Sequence, residues 1–295
     1  MEKENSKKQP KLQVMISTYG KEGLQRVAAA SHPRLEGVEY LVSFQNPDSE
    51  EAALPEKLNR EDFILITTQT KGLSINRNIA LSQATADLLL IGDDDADYTE
   101  EGLKTVIDSF RDNPECDIIS FRYDSVSTRK FYPKVSVSLS HPPKGYFISS
   151  IEIAMRRDSV QGKIWFNENF GIGAKFPSGE EDVFMRDCLN RGLNGIFIPK
   201  TIVRHDGTTT SGRNYMLPSR PQTKGAIFLH LHPRQWPLRM IAHAIREIPL
   251  WRKGNAPSPF SYCFNWLKGA LNAKKTHVFP TPDYSLKYLS NDRIG

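Results

Sequence analysis

The sequence predicts an α/β fold: a doubly wound sheet followed by a basic, largely helical C-terminal extension. Over the first two-thirds of the 295-residue chain, short apolar runs alternate with helical patterns, as in successive strand–helix–strand units. The run 87–92 (DLLLIG) is almost continuously apolar, which is typical of a parallel strand covered on both faces. Residues 213–295 carry 13 Lys and Arg against 3 Asp and Glu, whereas residues 1–212 carry 26 against 31. The last third therefore has a different kind of surface.

The individual elements follow from the same patterns. Strands are predicted at 12–17, 38–44, 63–67, 87–92, 117–122, 195–198 and 202–204. Helices are predicted near 21–30, over 75–85 with Ser74 as its cap, at 100–111, and over 178–192, where Ser178 and Glu181 fit a capping box. The segment 123–179 is less regular, and irregular segments in such folds usually hold the substrate.

Three regions are predicted. Residues 1–11 form a polar tail that we expect to be disordered, residues 12–212 form the α/β domain, and residues 213–295 form the extension. The boundary near Gly212 rests on the charge shift and on the loop GTTTSGRN.

Composition excludes several classes of protein. Hydrophobic residues make up 39% and charged residues 25% of the chain, which does not fit a disordered chain, a collagen or a coiled coil. The three cysteines form no CxxC pair, so a reducing compartment fits better than a disulfide scaffold. No apolar leader and no apolar run of about 18 residues is visible, and the sequence predicts a cytoplasmic protein.

Four carboxylates follow the predicted strand 87–92, at positions 93, 94, 95 and 97. They repel one another unless a cation offsets their charge, and oxygen-rich sites favour Mg²⁺ or Mn²⁺. A phosphate could complete the shell of such an ion. A calcium EF-hand is excluded, because Tyr98 and Lys104 replace its Gly and Glu. A solvated turn before a helix N-terminus explains the acids equally well.

Four segments together carry a resemblance to one family. They are LQVMISTYG (12–20), KGLSINRNIAL (71–81), LLLIGDDDADYTEEGL (88–103) and GEEDVFMRDCLNRG (179–192). In order and spacing they resemble the strand, GxxxARN, DxD and ED motifs of family 2 glycosyltransferases, over roughly residues 12–206. The resemblance implies a GT-A-type doubly wound mixed sheet, with residues 12–212 as the catalytic domain. It also implies transfer of a sugar, with inversion, from a nucleotide-sugar to an acceptor hydroxyl.

The resemblance also assigns the donor side of the site. It implies that Thr18 and Tyr19 lie against the nucleoside, and that Arg77 and Asn78 face the nucleotide or its diphosphate. The family usually has an acidic pair after its second strand. Here that strand ends SFQNP, so Ser43, Gln45 or Asn46 is expected to read the base instead, with Gln45 as the assigned residue. A UDP-sugar is the expected donor.

The remaining roles concern the metal and the base. The resemblance implies that Asp93 and Asp95 are the DxD pair, with Asp94 between them at the nucleotide. Asp95 is then the direct ligand of Mn²⁺ or Mg²⁺, and His205 completes the metal shell. Asp182 is the expected general base, with Glu181 beside it. The capping box explains Glu181 without catalysis, and a structural histidine explains His205 equally well.

The extension suggests a surface role. A helix is predicted from Pro237 to Pro249, with Leu238, Ile241 and Ile245 on one face and arginines on another. Aromatic residues and lysines follow it. Such a pattern suits an anionic membrane surface, and a helix packed on the catalytic domain with its charges in water is the alternative.

The expected partners are a nucleotide-sugar donor and a glycan or lipid-linked glycan acceptor, as in bacterial-type surface glycan or polysaccharide assembly, with an anionic membrane surface as a further partner. No nucleic acid is expected, because no helix-turn-helix, zinc-finger or RRM signature occurs. Two alternatives remain open: a protein that binds nucleic acid or an anionic surface through its basic extension, and an inactive glycosyltransferase-like scaffold.

Overall fold

A computed structural model describes residues 10–49, 53–126, 130–206, 219–254 and 256–275. Its strands are β1 (Leu12–Tyr19), β2 (Val38–Gln45), β3 (Phe63–Thr68), β4 (Leu88–Asp93), β5 (Asp97–Tyr98), β6 (Ile118–Asp124), β7 (Val137–Ser138), β8 (Ile153–Arg156) and β9 (Gly195–Arg204). Its helices are α1 (Gly20–Ala29), α2 (Leu73–Gln83), α3 (Glu100–Asp112), α4 (Arg157–Val160), α5 (Glu180–Asn190), α6 (Ser219–Leu231), α7 (Trp236–Arg252) and α8 (Pro259–Lys275). The expected boundary near Gly212 and most of the expected tail at 1–11 lie outside the described residues.

The strands form one mixed sheet in the order β3-β2-β1-β4-β8-β6-β9-β5, with β7 also on β9. The first four strands are parallel, and β8 runs antiparallel between β4 and β6. The predicted doubly wound mixed sheet is confirmed.

Helices cover both faces of the sheet because side chains alternate along each strand. Val14 and Ile16 of β1 pack with α1 and α3 on one face. Met15, between them, packs with α2 and α5 on the other face. Because both faces of the central strands are covered, those strands read as continuous apolar runs in the sequence.

Four predicted boundaries are wrong. The two strands expected at 195–198 and 202–204 form one strand, β9. Its pairing with β6 shifts register beside Pro199. Proline has no backbone N–H to donate to the neighbouring strand and often accompanies such irregularities. Ser74 does not cap α2, because it lies inside the helix and donates from Oγ to the Phe170 carbonyl at 2.6 Å.

The Ser178–Glu181 capping box does not form, since α5 begins at Glu180 after Gly179 in a left-handed conformation (φ 87°). Helix α7 continues past Pro249 to Arg252, because a proline near the last turn removes only one hydrogen bond.

The three described helices that follow β9 pack on the α/β domain through α6. Ile227 of α6 joins Phe170, Phe176 and Val183 in a small apolar cluster, and His230 of α6 lies 2.7 Å from Asp187 of α5. Helices α7 and α8 then pack on α6 around Ala244, Tyr262 and Trp266. None of the described helices combines the length and apolarity needed to cross a membrane.

Candidate active site

Three parallel strands end together at one edge of the sheet. Strand β1 lies between β2 and β4, so that Tyr19 is in register with Gln45, and Ser17 is in register with Asp93. In open α/β sheets, ligands bind beyond this carboxyl edge. The segments predicted to bind a nucleotide therefore meet where such a site is expected.

Arg77 joins two of the predicted motifs inside the protein. Its Nη2 lies 3.1 Å from Asp93 Oδ1 at the end of β4, and its Nη1 lies 2.9 Å from Glu180 Oε1 at the start of α5. The side chain is only 3% exposed, and the two carboxylates compensate the buried charge. Arg77 was expected to face a nucleotide. Its guanidinium holds the acidic turn and the start of α5 together.

Asp94 faces away from the other acids, towards β1 and α1. It accepts from Thr18 Oγ1 at 2.8 Å and forms a two-point ion pair with Arg26. Gly23 leaves the room for this contact, because a Cβ there would lie 2.2 Å from Thr18 Oγ1. Thr18 and Asp94 were expected at the nucleotide. Their described side-chain contacts are with each other and with Arg26, and they join the end of β1 and α1 to the turn after β4.

Asp95 pairs with His205, although the two residues are far apart in sequence. Asp95 Oδ1 lies 2.9 Å from His205 Nε2, and the His205 backbone N–H donates to the Asp124 carbonyl. The hydrogen bond between the side chains lowers the pKa of Asp95 and raises that of His205. Two of the three predicted metal ligands are therefore adjacent.

The pair Asp95–His205 offers a carboxylate oxygen and an imidazole nitrogen, donor types that could both bind a divalent ion. Their separation of 2.9 Å is that of the hydrogen bond between them. Asp93, the third predicted ligand, is held by Arg77 and by Ser150, whose Oγ lies 3.4 Å from Asp93 Oδ2. Within the described part of the chain, no group of three or more His, Cys, Asp and Glu side chains is placed to hold an ion. A cation here therefore needs oxygens from a ligand, as a diphosphate provides.

Tyr19 and Gln45 mark the nucleoside end of this edge. Tyr19 is exposed, and Lys71 Nζ lies 5.9 Å from its ring centroid. Gln45 is buried, and its Nε2 donates to Thr70 Oγ1 and to the Gly72 carbonyl. The Gln45 amide group thus holds the loop before α2, whereas the Tyr19 ring is open to a ligand.

Asn78 is placed differently from the expectation. It is fully buried, its Nδ2 donates to the Phe166 carbonyl at 2.9 Å, and its Oδ1 accepts from the Phe166 N–H at 2.8 Å. Both ends of the amide are therefore committed to the backbone of one residue. Asn78 anchors the 166 segment on α2 and does not face a nucleotide in this arrangement.

The start of α5 carries three consecutive acids in different surroundings. Glu180 is buried on Arg77, whereas Asp182 is solvent-exposed at the wall of the site. Desolvation by surrounding protein atoms and then the charge of Glu180 raise the pKa of Asp182 to about 6, and Lys130 opposes this shift. Desolvation and the same acidic neighbours raise the pKa of Glu181 well above its usual range. Asp182, with a pKa of about 6, is therefore mostly ionised at neutral pH.

A buried cation near these acids was not predicted. Lys130 Nζ lies 2.6 Å from Glu152 Oε2, both side chains are essentially inaccessible, and Tyr132 donates to the other oxygen of Glu152. The charges of Glu181 and Asp182 act on Lys130. Lys130 lies in the irregular segment 123–179, where no periodicity or motif distinguishes it from a surface lysine. Only the fold shows that it is buried.

The comparisons with known proteins agree with this geometry. The model of the family described as Glycosyl transferase family 2 matches residues 26–176, which is just over half of the chain. The chain belongs to glycosyltransferase family 2. The match includes the DxD-like turn and ends before the ED-like helix α5. No curated protein sequence matches this family 2 glycosyltransferase.

Solved structures of S. aureus TarS share the GT-A fold of this glycosyltransferase. TarS 1–349 in complex with UDP-GlcNAc is 16% identical with a TM-score of 0.56, covering 96% of this chain and 97% of that one. The same TarS fragment in complex with UDP is also 16% identical, with a TM-score of 0.53, covering 92% and 93%. A longer TarS structure is 21% identical with a TM-score of 0.52. It covers 94% of this chain, and the glycosyltransferase spans only 45% of that TarS chain.

The acids of this family 2 glycosyltransferase fall into three chemical groups. Asp93 and Glu180 neutralise a buried arginine, Asp95 is paired with His205, and Asp182 is an exposed carboxylate with a raised pKa. Titratable groups whose surroundings push their pKa values apart are typical of acid–base sites. The arrangement can therefore bind a charged ligand and remove a proton at neighbouring points.

Proposed function

We propose that this chain transfers a sugar from a UDP-sugar, with UDP-GlcNAc as the first donor to test, to a hydroxyl of a surface glycan or lipid-linked glycan, with inversion at the anomeric carbon. The observation that carries the proposal is the placement of Asp95, paired with His205, and Asp182, open to solvent, on either side of the Arg77 bridge. The UDP and UDP-GlcNAc complexes of TarS, a protein of the same fold, support the choice of donor.

Asp182 is the proposed general base. Its carboxylate takes the proton from the acceptor hydroxyl, whose oxygen attacks the anomeric carbon from the face opposite UDP. The bond from that carbon to the diphosphate oxygen breaks, and UDP leaves with the electron pair. One base is sufficient, because inversion takes a single displacement and the leaving group needs no proton when its charge is stabilised; glycosidases, by contrast, need two carboxylates.

Asp95 and His205 are the proposed metal ligands, with Asp93 beside them. A bound Mn²⁺ or Mg²⁺ supplies Lewis-acid stabilisation to the diphosphate of the leaving group. Arg77 orients Asp93 and keeps the acidic turn in place against the start of α5. Tyr19 offers an exposed ring to the base of the nucleotide, and Lys71 beside it adds a positive charge.

Two further parts of the proposal concern the setting. The three cysteines are unpaired among the described residues, which supports a reducing compartment such as the cytoplasm. Attachment to the cytoplasmic face of a membrane would bring the site to a lipid-linked acceptor.

A panel of UDP-, GDP- and TDP-sugars tests the donor. We expect slow hydrolysis of a UDP-sugar that requires Mn²⁺ or Mg²⁺ and stops in EDTA, and thermal stabilisation by UDP only when the ion is present. Equal stabilisation by UDP with and without metal would contradict the metal role. Salt-sensitive binding of DNA or RNA with no response to any nucleotide would favour the nucleic-acid alternative.

A further inference from the structure

The outer side of α8 is apolar and open to solvent. Phe260, Phe264, Leu267 and Leu271 recur at helical spacing, and they are exposed, with Phe260 at 83% and Phe264 at 60%. Tyr262 and Trp266, on the opposite side of the same helix, are fully buried among the helices of the extension. Helix α8 is thus apolar on both sides, and packing within the protein explains only one of them.

Helix α7 shows the same arrangement. Leu238, Ile241 and Ile245 lie on one face of the helix, with Leu238 at 72% and Ile245 at 59% exposure. The helix packs on its neighbours through a different face, which contains Ala244 and the buried Glu247. The apolar stripe predicted in this helix therefore exists, and nothing in the described residues covers it.

Positive charge surrounds both stripes. Residues 234–275 contain eight Lys and Arg and a single acid, Glu247, which is buried and paired with Arg220. On α8, Lys268 and Lys275 fall on one side of the apolar stripe and Lys274 on the other, at 100° per residue. Arg246 on α7 is also exposed. Isolated apolar residues on a surface are ordinary, but two apolar stripes bordered by cations on packed helices are not.

We infer that these two faces, which we call the outer helical surface (Leu238, Ile241 and Ile245 of α7; Phe260, Phe264, Leu267 and Leu271 of α8; and the flanking cations), bind an anionic membrane surface. Apolar side chains enter the boundary between headgroups and acyl chains, and the long Lys and Arg side chains reach the lipid phosphates. A second copy of the chain fits this surface less well, because two faces with the same strong positive charge would oppose each other. This inference goes beyond the proposed sugar transfer and does not depend on it.

Vesicle flotation of the full chain tests the inference. The probes are vesicles of phosphatidylcholine alone and of phosphatidylcholine mixed with phosphatidylglycerol, each at low and at high salt. We expect binding to the mixed vesicles only, and weaker binding at high salt, because screening shortens the reach of the cations. No binding to the mixed vesicles at low salt, or equal binding to both kinds of vesicle, overturns the inference.

Matched variants separate the two contributions. Each basic residue near an anionic surface is worth about fivefold in partitioning, so K268Q/K274Q/K275Q should bind on the order of a hundredfold more weakly. Phe264→Ser should reduce binding about tenfold or more, because a buried aromatic contact is lost. The controls are Lys57→Gln and Val135→Ser, which change an exposed cation and an exposed apolar residue in the catalytic domain, and they should bind like the unchanged chain. Loss of binding in the controls as well contradicts the assignment to this surface.

Light scattering tests whether a second copy of the chain, rather than a membrane, occupies the outer helical surface. The unchanged chain should be monomeric without lipid at the concentration used for flotation. A dimer that Phe264→Ser converts to a monomer would show that the outer helical surface is an interface between copies, and it would overturn the membrane assignment.

Discussion

Arg77 donates to Asp93 at the end of β4 and to Glu180 at the first position of α5, so that one buried guanidinium sets the distance between the acidic turn and the helix that carries Asp182. The two motifs are almost 90 residues apart in sequence, and this bridge makes them parts of one site.

Replacing Arg77 should therefore affect folding as well as activity. Arg77→Met leaves Glu180 as a buried charge without its partner, and breaking a buried pair in this way costs about 3–5 kcal/mol of unfolding free energy. Urea denaturation measures the change. Arg26→Met is the control, because it breaks the more exposed pair with Asp94, in which Arg26 is 48% exposed, and it should cost less than Arg77→Met. Similar losses of unfolding free energy in the two variants would show that the buried Arg77 bridge stabilises the fold no more than the Arg26–Asp94 pair does.

Asp182→Asn should lower turnover by roughly 10²–10⁴-fold, the usual worth of a general base. The variant keeps its shape and loses the charge, so UDP binding should be unchanged. Glu181→Gln is the matched comparison. Because Asp182 is the proposed base and Glu181 is its neighbour, turnover of this variant should stay within about tenfold. The reverse ranking of the two variants would assign the base to Glu181.

The same residue predicts an effect on stability. The pKa of Asp182 in the folded protein is raised to about 6, above its value in the unfolded chain. Protonated Asp182 therefore favours the folded state. This contribution to stability is complete below the unfolded pKa and is lost as the pH rises through about 6. Asp182→Asn should therefore melt at a higher temperature than the unchanged chain at about pH 8, with a smaller difference at about pH 5. A melting temperature that falls at both pH values would show that the carboxylate is needed for folding.

The pH profile of turnover should report Asp182 and its neighbour Lys130. Activity should rise with pH through about 6, as the base loses its proton. Lys130 lowers the pKa of Asp182, so the double variant K130M/E152Q, which removes both charges of the buried pair, should move this limb to higher pH. An unmoved limb in a folded double variant would remove Lys130 from this role.

Replacing Asp95 should abolish the metal dependence of UDP binding, whereas replacing the adjacent Asp94 should leave it intact. Asp95→Asn should abolish the extra thermal stabilisation by UDP with Mn²⁺, which for the unchanged chain reaches about 2.7 kcal/mol at a hundredfold excess over Kd. Asp94→Asn should retain that stabilisation, because the carboxylate of Asp94 is committed to Thr18 and Arg26. Loss in both variants, with the fold intact, would indicate that the whole acidic turn holds the ion.

The fold could be predicted to a large extent because it depends on local patterns. Apolar runs such as Leu88–Ile91 identified the strands, and the alternation of strands with helices identified the doubly wound architecture. Boundaries were less predictable. The Ser178–Glu181 pattern fits a capping box, yet Gly179 adopts the left-handed conformation and α5 starts without one.

Some contacts between the predicted site residues follow the expectation, and others do not. Asp95 and His205 were expected together, and they are 2.9 Å apart. The bridge through Arg77 and the burial of Lys130 depend on contacts between distant segments, which no local pattern encodes. Asn78 shows the opposite error: it belongs to a motif associated with nucleotide binding, and its amide is fully used by the Phe166 backbone.

The contact between Gly179 and Ile227 connects the C-terminal extension to the start of α5. A Cβ on Gly179 would lie 2.2 Å from the Ile227 side chain, so α6 presses directly on the residue that precedes the three acids of α5. The C-terminal helices therefore belong to the same packed body as α5, and a chain that ended after β9 would expose Phe170 and Val183 and lose the side chain that packs on Gly179. An engineered minimal transferase needs to retain α6.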